Sequence, residues 1–208
     1  MNETDASPDG HNRQTWRLLR LASFALLTLA ALTVVLIAAG VFDPRPLGQL
    51  WRTDTPSVRT LPDTGAATFP QSPPWPAPPN RFSVRLRAAK MGEQADIGYG
   101  LALGDEKAQL IVAVSPFGYL SVWEERGGEI INNMPWQPWP HVRPGAAENE
   151  IWLDVATTGD RSQVTARVNR EQLWQGKIER LSPDVALWLG SFSGPATVDF
   201  RALEWFAP

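Results

Sequence analysis

The 208-residue sequence contains no cysteine and only two histidines, His11 and His141. Without thiols it cannot form disulfides, and a zinc or copper site would lack its usual ligands. The aspartates Asp96, Asp105 and Asp160 are scattered among turn-like segments, where Asp is favoured for local hydrogen bonding. A calcium site needs several oxygens that converge. We therefore predict no bound metal and no cofactor.

An excess of basic charge is also absent. The chain has 19 Lys and Arg against 22 Asp and Glu, a net charge of −3. No basic stripe emerges, so nucleic acid is not a predicted partner.

After residue 80 no long segment repeats its apolar residues at the helical period of about 3.6, which argues against helices there. The lack of cysteine is compatible with a bacterial envelope domain large enough to fold without disulfides.

Residues 21–42 form an apolar run without a charged residue, a proline or an amide side chain. As a helix this run would extend about 33 Å at ~1.5 Å per residue, enough to cross a bilayer core of roughly 30 Å. We predict a single transmembrane helix over residues 18–42, with the lipid bilayer as a partner. Aromatic and basic residues at its ends would lie at the headgroups. The predicted membrane-interface residues are Trp16, Arg17, Arg20 and Phe42.

Residues 1–15 are polar and are predicted to be disordered, and residues 1–17 form the predicted cytoplasmic tail. Arg17 and Arg20 abut the start of the helix, whereas Asp43 and Pro44 follow its end, so the positive-inside rule places the N-terminus in the cytoplasm. The folded part would then be extracytoplasmic, in the periplasm or on the cell surface. A cleaved signal peptide is the alternative, although the apolar run exceeds the roughly 7–15 residues usual for one.

Residues 43–80 contain ten prolines in 38 residues. Because proline joins neither a helix interior nor a central strand, we predict a proline-rich, extended linker without a core of its own. Such a stalk would hold the folded domain away from the membrane. The alternative is that the segment lies along a partner, with Trp51, Phe69 and Trp75 as its anchors.

From residue 81 onward the apolar residues alternate. In the first such run Phe82, Val84 and Leu86 lie on one face and Arg85 and Arg87 on the other, the pattern of a half-buried strand. Short strands separated by Gly, Pro, Asn and Asp indicate an antiparallel sandwich or barrel. We predict an all-β domain over residues 81–208. The predicted strands are 81–88, 97–103, 109–115, 119–124, 151–156, 163–168, 185–192 and 196–206.

The order of short motifs in this domain supports a more specific resemblance. The motifs are Tyr99-Gly-Leu101, Gly118-Tyr-Leu-Ser-Val122, Gly145 with Asn149-Glu-Ile-Trp-Leu-Asp-Val155, Val164-Thr-Ala-Arg-Val-Asn169, Leu187-Trp-Leu-Gly190 and Val198-Asp-Phe200. Residues 81–206 thus resemble the concanavalin A-like lectin and glucanase domains, in their laminin-G-like and sugar-hydrolase-associated forms. The resemblance implies a jelly-roll β-sandwich. One departure is the turn Asn169-Arg170, where such domains often carry Asn-Gly.

Glycosidases of this fold usually carry a Glu-x-Asp-x-x-Glu motif on one strand, and the sequence lacks it. Retaining and inverting glycosidases hold their two carboxyl groups about 5–5.5 Å or ~6.5–9.5 Å apart, respectively. Glu150 and Asp154 share a strand face but would lie ~13 Å apart at Cα. Only Glu148 with Glu150 has suitable spacing. We therefore predict that the protein is not an enzyme, and a glycoside hydrolase is the third alternative.

The segment from Met134 to His141 contains three prolines and two tryptophans. The prolines exclude it from a central strand, so we predict a stiff loop that displays Trp136 and Trp139. Rigid, exposed indoles suit stacking on sugars or anchoring in a protein interface. The alternative is that both rings fold back and cover one end of the sandwich.

Taken together, these features predict a non-catalytic, single-pass membrane protein with an extracytoplasmic interaction domain. The tail is too short for signalling, which favours an accessory or assembly subunit of a larger membrane protein complex. A cell-surface glycan-binding domain is the alternative. The predicted partner- or glycan-binding residues are Trp136, Trp139, His141, Trp75 and Trp51.

Overall fold

The computed structural model describes residues 9–39, 41, 43–75, 77, 79–94 and 96–208, with side chains from residue 16 onward. The chain divides into two compact units, Met1–Pro44 and Arg45–Pro208. Phe42, one of the predicted membrane-interface residues, lies outside the described residues.

The first unit contains helix α1 (Asp9–Ala38), whose apolar part, Trp16–Ala38, is long and apolar enough to cross a membrane. None of the side chains of Trp16–Ala38 is buried. The hydroxyls of Thr28 and Thr33 donate to the carbonyls one turn earlier, each at 2.9 Å, so they need no partner from outside the helix.

The helix is displaced toward the N-terminus relative to our prediction. It begins at Asp9, inside the segment predicted to be disordered, and ends at Ala38 rather than near residue 42. Extending an existing helix by one residue requires no new nucleation, so the apolar run can propagate helix into polar residues before it.

The second unit is built from thirteen strands among the described residues. They are β1 (Gln49–Asp54), β2 (Val58–Leu61), β3 (Gly65–Gln71), β4 (Arg81–Met91), β5 (Ile97–Asp105), β6 (Ala108–Val114), β7 (Tyr119–Arg126), β8 (Glu129–Pro138), β9 (Asn149–Thr158), β10 (Arg161–Val168), β11 (Glu171–Glu179), β12 (Val185–Ser191) and β13 (Ala196–Ala207).

The strands form two antiparallel sheets. Sheet A has the order β1-β13-β4-β9-β10-β11, with β2 paired to another part of β13. Sheet B has the order β3-β12-β5-β6-β7-β8. Each of the eight predicted strands corresponds to an observed one. Some of them alternate apolar and polar residues because one face is buried, whereas β5 and β12 are buried along nearly their whole length and appear as short apolar runs between turn residues. The all-β sandwich with one N-terminal helix is confirmed.

The core lies between the two sheets and takes the inward-facing residue of each alternating pair. Val84 and Leu86 of sheet A and Leu101, Val112 and Leu187 of sheet B are completely buried there. These side chains are removed from water, and each such burial contributes roughly 1.5–3 kcal/mol of transfer free energy.

The prediction of an extended linker over residues 43–80 was wrong. This segment contains β1 and β2, which pair with β13, and β3, which pairs with β12. Pro70 lies in the edge strand β3, where a missing N–H donor costs least, and the other prolines that the structure describes in this segment lie in connections. The folded unit therefore begins near residue 45, not at residue 81.

The anchors suggested for a docked linker have different surroundings. Trp75 packs against Phe82, with ring centroids 5.3 Å apart, and against Trp205 at 5.4 Å. Phe69 also packs against the core. Trp51, by contrast, is 59% exposed on β1. The segment thus lies along a β-sandwich, but the sandwich belongs to the same chain.

The prediction of a loop around Trp136 was also wrong, since residues up to Pro138 belong to β8. β8 is the edge strand of sheet B, and its register with β7 shifts on both sides of Val122. Edge strands and bulges tolerate proline, so Pro135 and Pro138 do not prevent pairing on the inner side.

Candidate functional site

The outer face of sheet B carries a second apolar cluster, separate from the core. Strand alternation directs Leu101 and Leu103 inward, which leaves Ala102 between them on the outer face. The buried residues of this outer cluster are Ala102, Ile111, Ala113, Trp123, Ala186 and Trp188. The small side chains leave space on this face in which the Trp123 and Trp188 rings are buried.

Two glycines make room for these indoles. A Cβ at Gly190 would approach the Trp188 ring to 2.5 Å, and a Cβ at Gly98 would lie 2.9 Å from Trp188 and 3.0 Å from Trp136. Glycine in a strand interior is unfavourable unless a neighbouring group must approach closely, as it does here. The two glycines thus set the position of the aromatic rings.

Trp136 is held in a row of ring contacts. Its ring centroid lies 6.3 Å from that of Trp123 and 6.1 Å from that of Phe192, with a perpendicular arrangement in the second pair. Trp123 also meets Trp188 edge-on at 5.0 Å. The Trp123 indole N–H donates to Glu125 at 2.9 Å, which fixes the ring plane. These contacts hold Trp136 in one orientation.

A depression of about 490 Å³ opens beside Trp136. We call it the aromatic depression; it is lined by Asp96, Ile97, Ser115, Phe117, Tyr119, Trp136 and Phe192. All four of its aromatic side chains are substantially exposed: Phe117 at 59%, Phe192 at 54%, Tyr119 at 40% and Trp136 at 37%. Asp96 and Ser115 supply polar groups, so the lining combines aromatic faces with hydrogen-bonding atoms.

The other predicted binding residues lie elsewhere. Trp139 packs against the core, and its indole nitrogen is buried without a hydrogen-bond partner among the described residues. His141 is exposed, and its backbone carbonyl accepts a hydrogen bond from Asn169 at 2.6 Å. Trp75 contributes to the core and Trp51 lies on β1, so neither lines the aromatic depression.

Trp136 and Trp139 therefore do not form the pair that the prediction envisaged. β8 ends at Pro138, after which the Trp139 backbone N–H donates to Gly118 at 2.9 Å and the chain turns. The sequence reasoning missed Phe117 and Phe192. For Phe117 the sequence contained a signal, since it is a large apolar residue inside the turn-like segment 115–118, where a core role is not expected. Phe192 was predicted to end the strand 185–192, but β12 ends at Ser191 and the Phe192 ring is exposed.

Sheet A presents a different, charged surface. A polar depression of about 450 Å³, which we call the charged depression, is lined by Arg87, Arg143, Glu148, Glu150, Asn169 and Arg170. Glu148 pairs with Arg201 at 3.1 Å, and Glu150 lies 3.8 Å from Arg85. Hydrogen bonds from Arg201 to Asp199 and Glu148 raise the pKa of its guanidinium further above the usual value.

Asp154, the remaining carboxylate considered for hydrolysis, is engaged by neighbouring side chains of sheet A. It accepts the Trp152 indole N–H at 2.7 Å and lies 3.4 Å from the Arg167 guanidinium, which covers the Trp152 ring at 5.5 Å. No group of three or more His, Asp or Glu residues that could hold a metal ion occurs in the part of the chain with described side chains.

No family model and no curated protein matches the sequence. Among solved structures, the chain is similar to sheep galectin-11 in complex with glycerol, with 14% identity and a TM-score of 0.39, covering 66% of this chain and 98% of that one. It is also similar to the carbohydrate-binding module CBM66 from Bacillus subtilis, with 10% identity and a TM-score of 0.40, covering 74% and 88%.

A third similar structure is a native glycosidic hydrolase, with 8% identity and a TM-score of 0.43, covering 60% of this chain and 64% of that one. Similarity at this level says nothing about the chemistry of a site. With its two antiparallel sheets, the chain has the jelly-roll β-sandwich that the concanavalin A-like resemblance predicts.

Proposed function

We propose that the unit Arg45–Pro208 is a non-catalytic carbohydrate-binding module that binds sugar in the aromatic depression. The observation that carries the proposal is the grouping of exposed Phe117, Trp136 and Phe192 around one depression that also contains Asp96. The C–H faces of a sugar ring pack on aromatic rings, while the sugar hydroxyls need polar partners such as a carboxylate.

The Trp136 ring is preorganised for binding, because it is held in place before any ligand binds. Its contacts with Trp123 and Phe192 restrict the ring, so binding immobilises little that was free. The large aromatic surface is then available at a low entropic cost, as in other binding surfaces that use Trp and Tyr.

The proposal is tested with the full chain in detergent micelles on an array of neutral oligosaccharides, followed by calorimetry with the strongest ligand. Trp136→Ala should weaken binding by at least about tenfold, because a Trp anchor at the centre of a site typically contributes ~2 kcal/mol or more. Trp51→Ala is the matched control and should bind like the wild type. Equal affinity of the two variants, or no sugar binding by the wild type, contradicts the proposal.

A non-catalytic module should leave its ligand intact. Incubation of the bound oligosaccharide with the full chain should release no new reducing ends, and Glu150→Gln should not alter this result. Sustained release of reducing sugar that disappears in Glu150→Gln would instead support the hydrolase alternative, in which Glu148 and Glu150 act together across the charged depression.

An accessory subunit that binds another protein is the second candidate, and a specific feature favours it. The edge strand β8 exposes Ile130 at 60% and Ile131 at 41%, next to backbone groups that have no neighbouring strand within the described fold. Such an edge suits the addition of a strand from a partner. Ile130→Lys should remove a protein that copurifies through β8 and leave sugar binding unchanged.

We further propose that α1 anchors the protein in a lipid bilayer with its N-terminus in the cytoplasm, where Trp16, Arg17 and Arg20 would lie at the headgroups. Because the chain has no cysteine, one introduced cysteine can report on each side. In intact cells a membrane-impermeant maleimide should label Ser193→Cys and not Thr4→Cys. The reverse pattern contradicts the orientation, and loss of residues 1–38 from the mature protein contradicts the anchor.

A further inference from the structure

The charged depression on sheet A has no role in the proposed binding of neutral sugar. Its three guanidinium groups come from three separate elements: Arg87 from β4, Arg143 from the connection between β8 and β9, and Arg170 from the turn between β10 and β11. Arg87 is paired in register with Glu150 across β4 and β9, so both side chains share the outer face of sheet A.

Two asparagines connect these elements below the depression. Asn149, which is completely buried, accepts the Arg143 backbone N–H at 2.8 Å through its side-chain oxygen. The Asn169 side chain donates to that same oxygen at 2.8 Å, donates to the His141 carbonyl, and accepts the Glu150 backbone N–H at 2.9 Å. The three arginine-bearing segments are thus held in a fixed arrangement.

The turn between β10 and β11, at Asn169 and Arg170, has an unusual residue, Arg170, at its second position. Asn169 and Arg170 have φ values of 50° and 76°, the left-handed region in which glycine is favoured at the second position of such a hairpin turn. Arginine in this conformation is unfavourable for the fold, and it places a guanidinium at the rim of the charged depression.

The balance of charge indicates the kind of ligand. Three guanidinium groups line the depression against two carboxylates, Glu148 and Glu150. Outside the lining, Arg85 and Arg201 lie near these carboxylates, Glu204 lies 3.7 Å from Arg87, and Asp199 pairs with Arg201. With these neighbours included, five guanidinium groups face four carboxylates. The excess of positive charge favours an anion. A doubly charged phosphate would be repelled by the two carboxylates, whereas a ligand with a single charge and several hydroxyl groups would donate hydrogen bonds to them.

A buried acceptor adds to this argument. Glu150 Oε1 is buried and finds no hydrogen-bond partner within the described part of the chain. A carboxylate oxygen without a donor is unfavourable, so a hydroxyl group that enters beside Glu150 would relieve it. The volume of about 450 Å³ is within the usual range for a small-molecule site.

We infer that the charged depression binds an acidic sugar, with the carboxylate of a hexuronate residue on Arg87, Arg143 and Arg170 and its hydroxyl groups on Glu148 and Glu150. Guanidinium groups match a planar carboxylate in geometry and charge. This site lies on sheet A and is independent of the aromatic depression on sheet B, so either site can fail its test without affecting the other.

The test is calorimetric titration of the full chain in detergent with trigalacturonate at low salt. Arg87→Gln and Arg143→Gln should each weaken binding by at least about tenfold, because each removes a charge-assisted pair. Arg161→Gln is the matched control, since Arg161 is exposed and lies outside the charged depression. Added salt should weaken binding in all of these proteins.

Two further ligands make the result decisive. The fully methyl-esterified trisaccharide, which has no charge, should fail to compete with trigalacturonate, and inorganic phosphate should compete only at much higher concentration. No binding of trigalacturonate by the wild type, equal affinity in Arg87→Gln and Arg161→Gln, or equally strong competition by phosphate would each overturn the inference. If Arg87→Gln loses its near-UV circular dichroism, Arg143→Gln decides the outcome, since Arg143 is exposed on a connection.

Discussion

Trp75 tests whether the proline-rich segment is part of the fold. It is half-buried against Phe82 and Trp205, two residues of the core, and its indole nitrogen is buried without a hydrogen-bond partner among the described residues. Replacing a fully buried Trp by Ala costs about 3–5 kcal/mol. Partial exposure and loss of the unsatisfied N–H both reduce this cost, so Trp75→Ala should lower the free energy of unfolding by about 2–3 kcal/mol.

The measurement is urea-induced unfolding of the full chain in detergent, followed by near-UV circular dichroism, which reports on packed aromatic rings. Trp75→Phe should lower the free energy of unfolding by less than about 1 kcal/mol, because it keeps a packed ring and removes the unpaired N–H. Trp51→Ala is the control for an exposed Trp of the same segment and should change it by less than about 0.5 kcal/mol.

A Trp75→Ala effect as small as that of Trp51→Ala would refute the reasoning. It would mean that residues 43–80 contribute nothing to the stability of the sandwich and behave as the free linker that the sequence suggested. Comparable large effects of Trp75→Ala and Trp75→Phe would contradict the role assigned to ring packing, since only the first substitution removes the ring.

Three further predictions concern backbone strain, close packing and a buried phenol. Arg170→Gly should raise the free energy of unfolding by about 1 kcal/mol, because φ at this position is 76° and glycine tolerates it; an unchanged or lower urea midpoint contradicts this. Gly190→Ala should lower it by about 1–3 kcal/mol and alter the near-UV spectrum, since the new Cβ would lie 2.5 Å from Trp188. Burial raises the pKa of Tyr99. The folded state therefore retains this proton above pH ~10, where the unfolded state loses it, and stability should fall as pH rises through that range. Tyr99→Phe should remove this part of the pH dependence in urea unfolding at pH 9 to 11, and an identical dependence in both proteins would contradict it.

Trp136 illustrates how much of the candidate site was visible in the sequence. The composition and prolines of its segment indicated that an indole would be displayed, and Trp136 does line a depression. Nothing local distinguished it from Trp139, which packs against the core three residues later. Their environments differ because β8 pairs with β7 up to Pro138 and the chain then turns toward Gly118, which only the tertiary contacts determine.

The strands at the edges of the sheets were likewise not recognisable from the sequence. β1, β2 and β3 were missed because prolines surround them and because their exposed positions interrupt the alternation that marks a half-buried strand. The strand β8 was missed for the same reason. An edge strand has only one neighbour, so its formation depends on the partner strand more than on its own residues.

The sequence by itself determined the apolar helix, the eight central strands and the absence of thiol chemistry. The helix and the strands depend on residues close together in the chain, either as an apolar run or as an alternation that one buried face imposes, and the absence of thiol chemistry follows from composition alone. Only the tertiary structure decided which side chains meet. Phe117, Trp136 and Phe192 come from three distant segments, as do Arg87, Arg143 and Arg170, and both depressions exist because strand order and register bring those segments together.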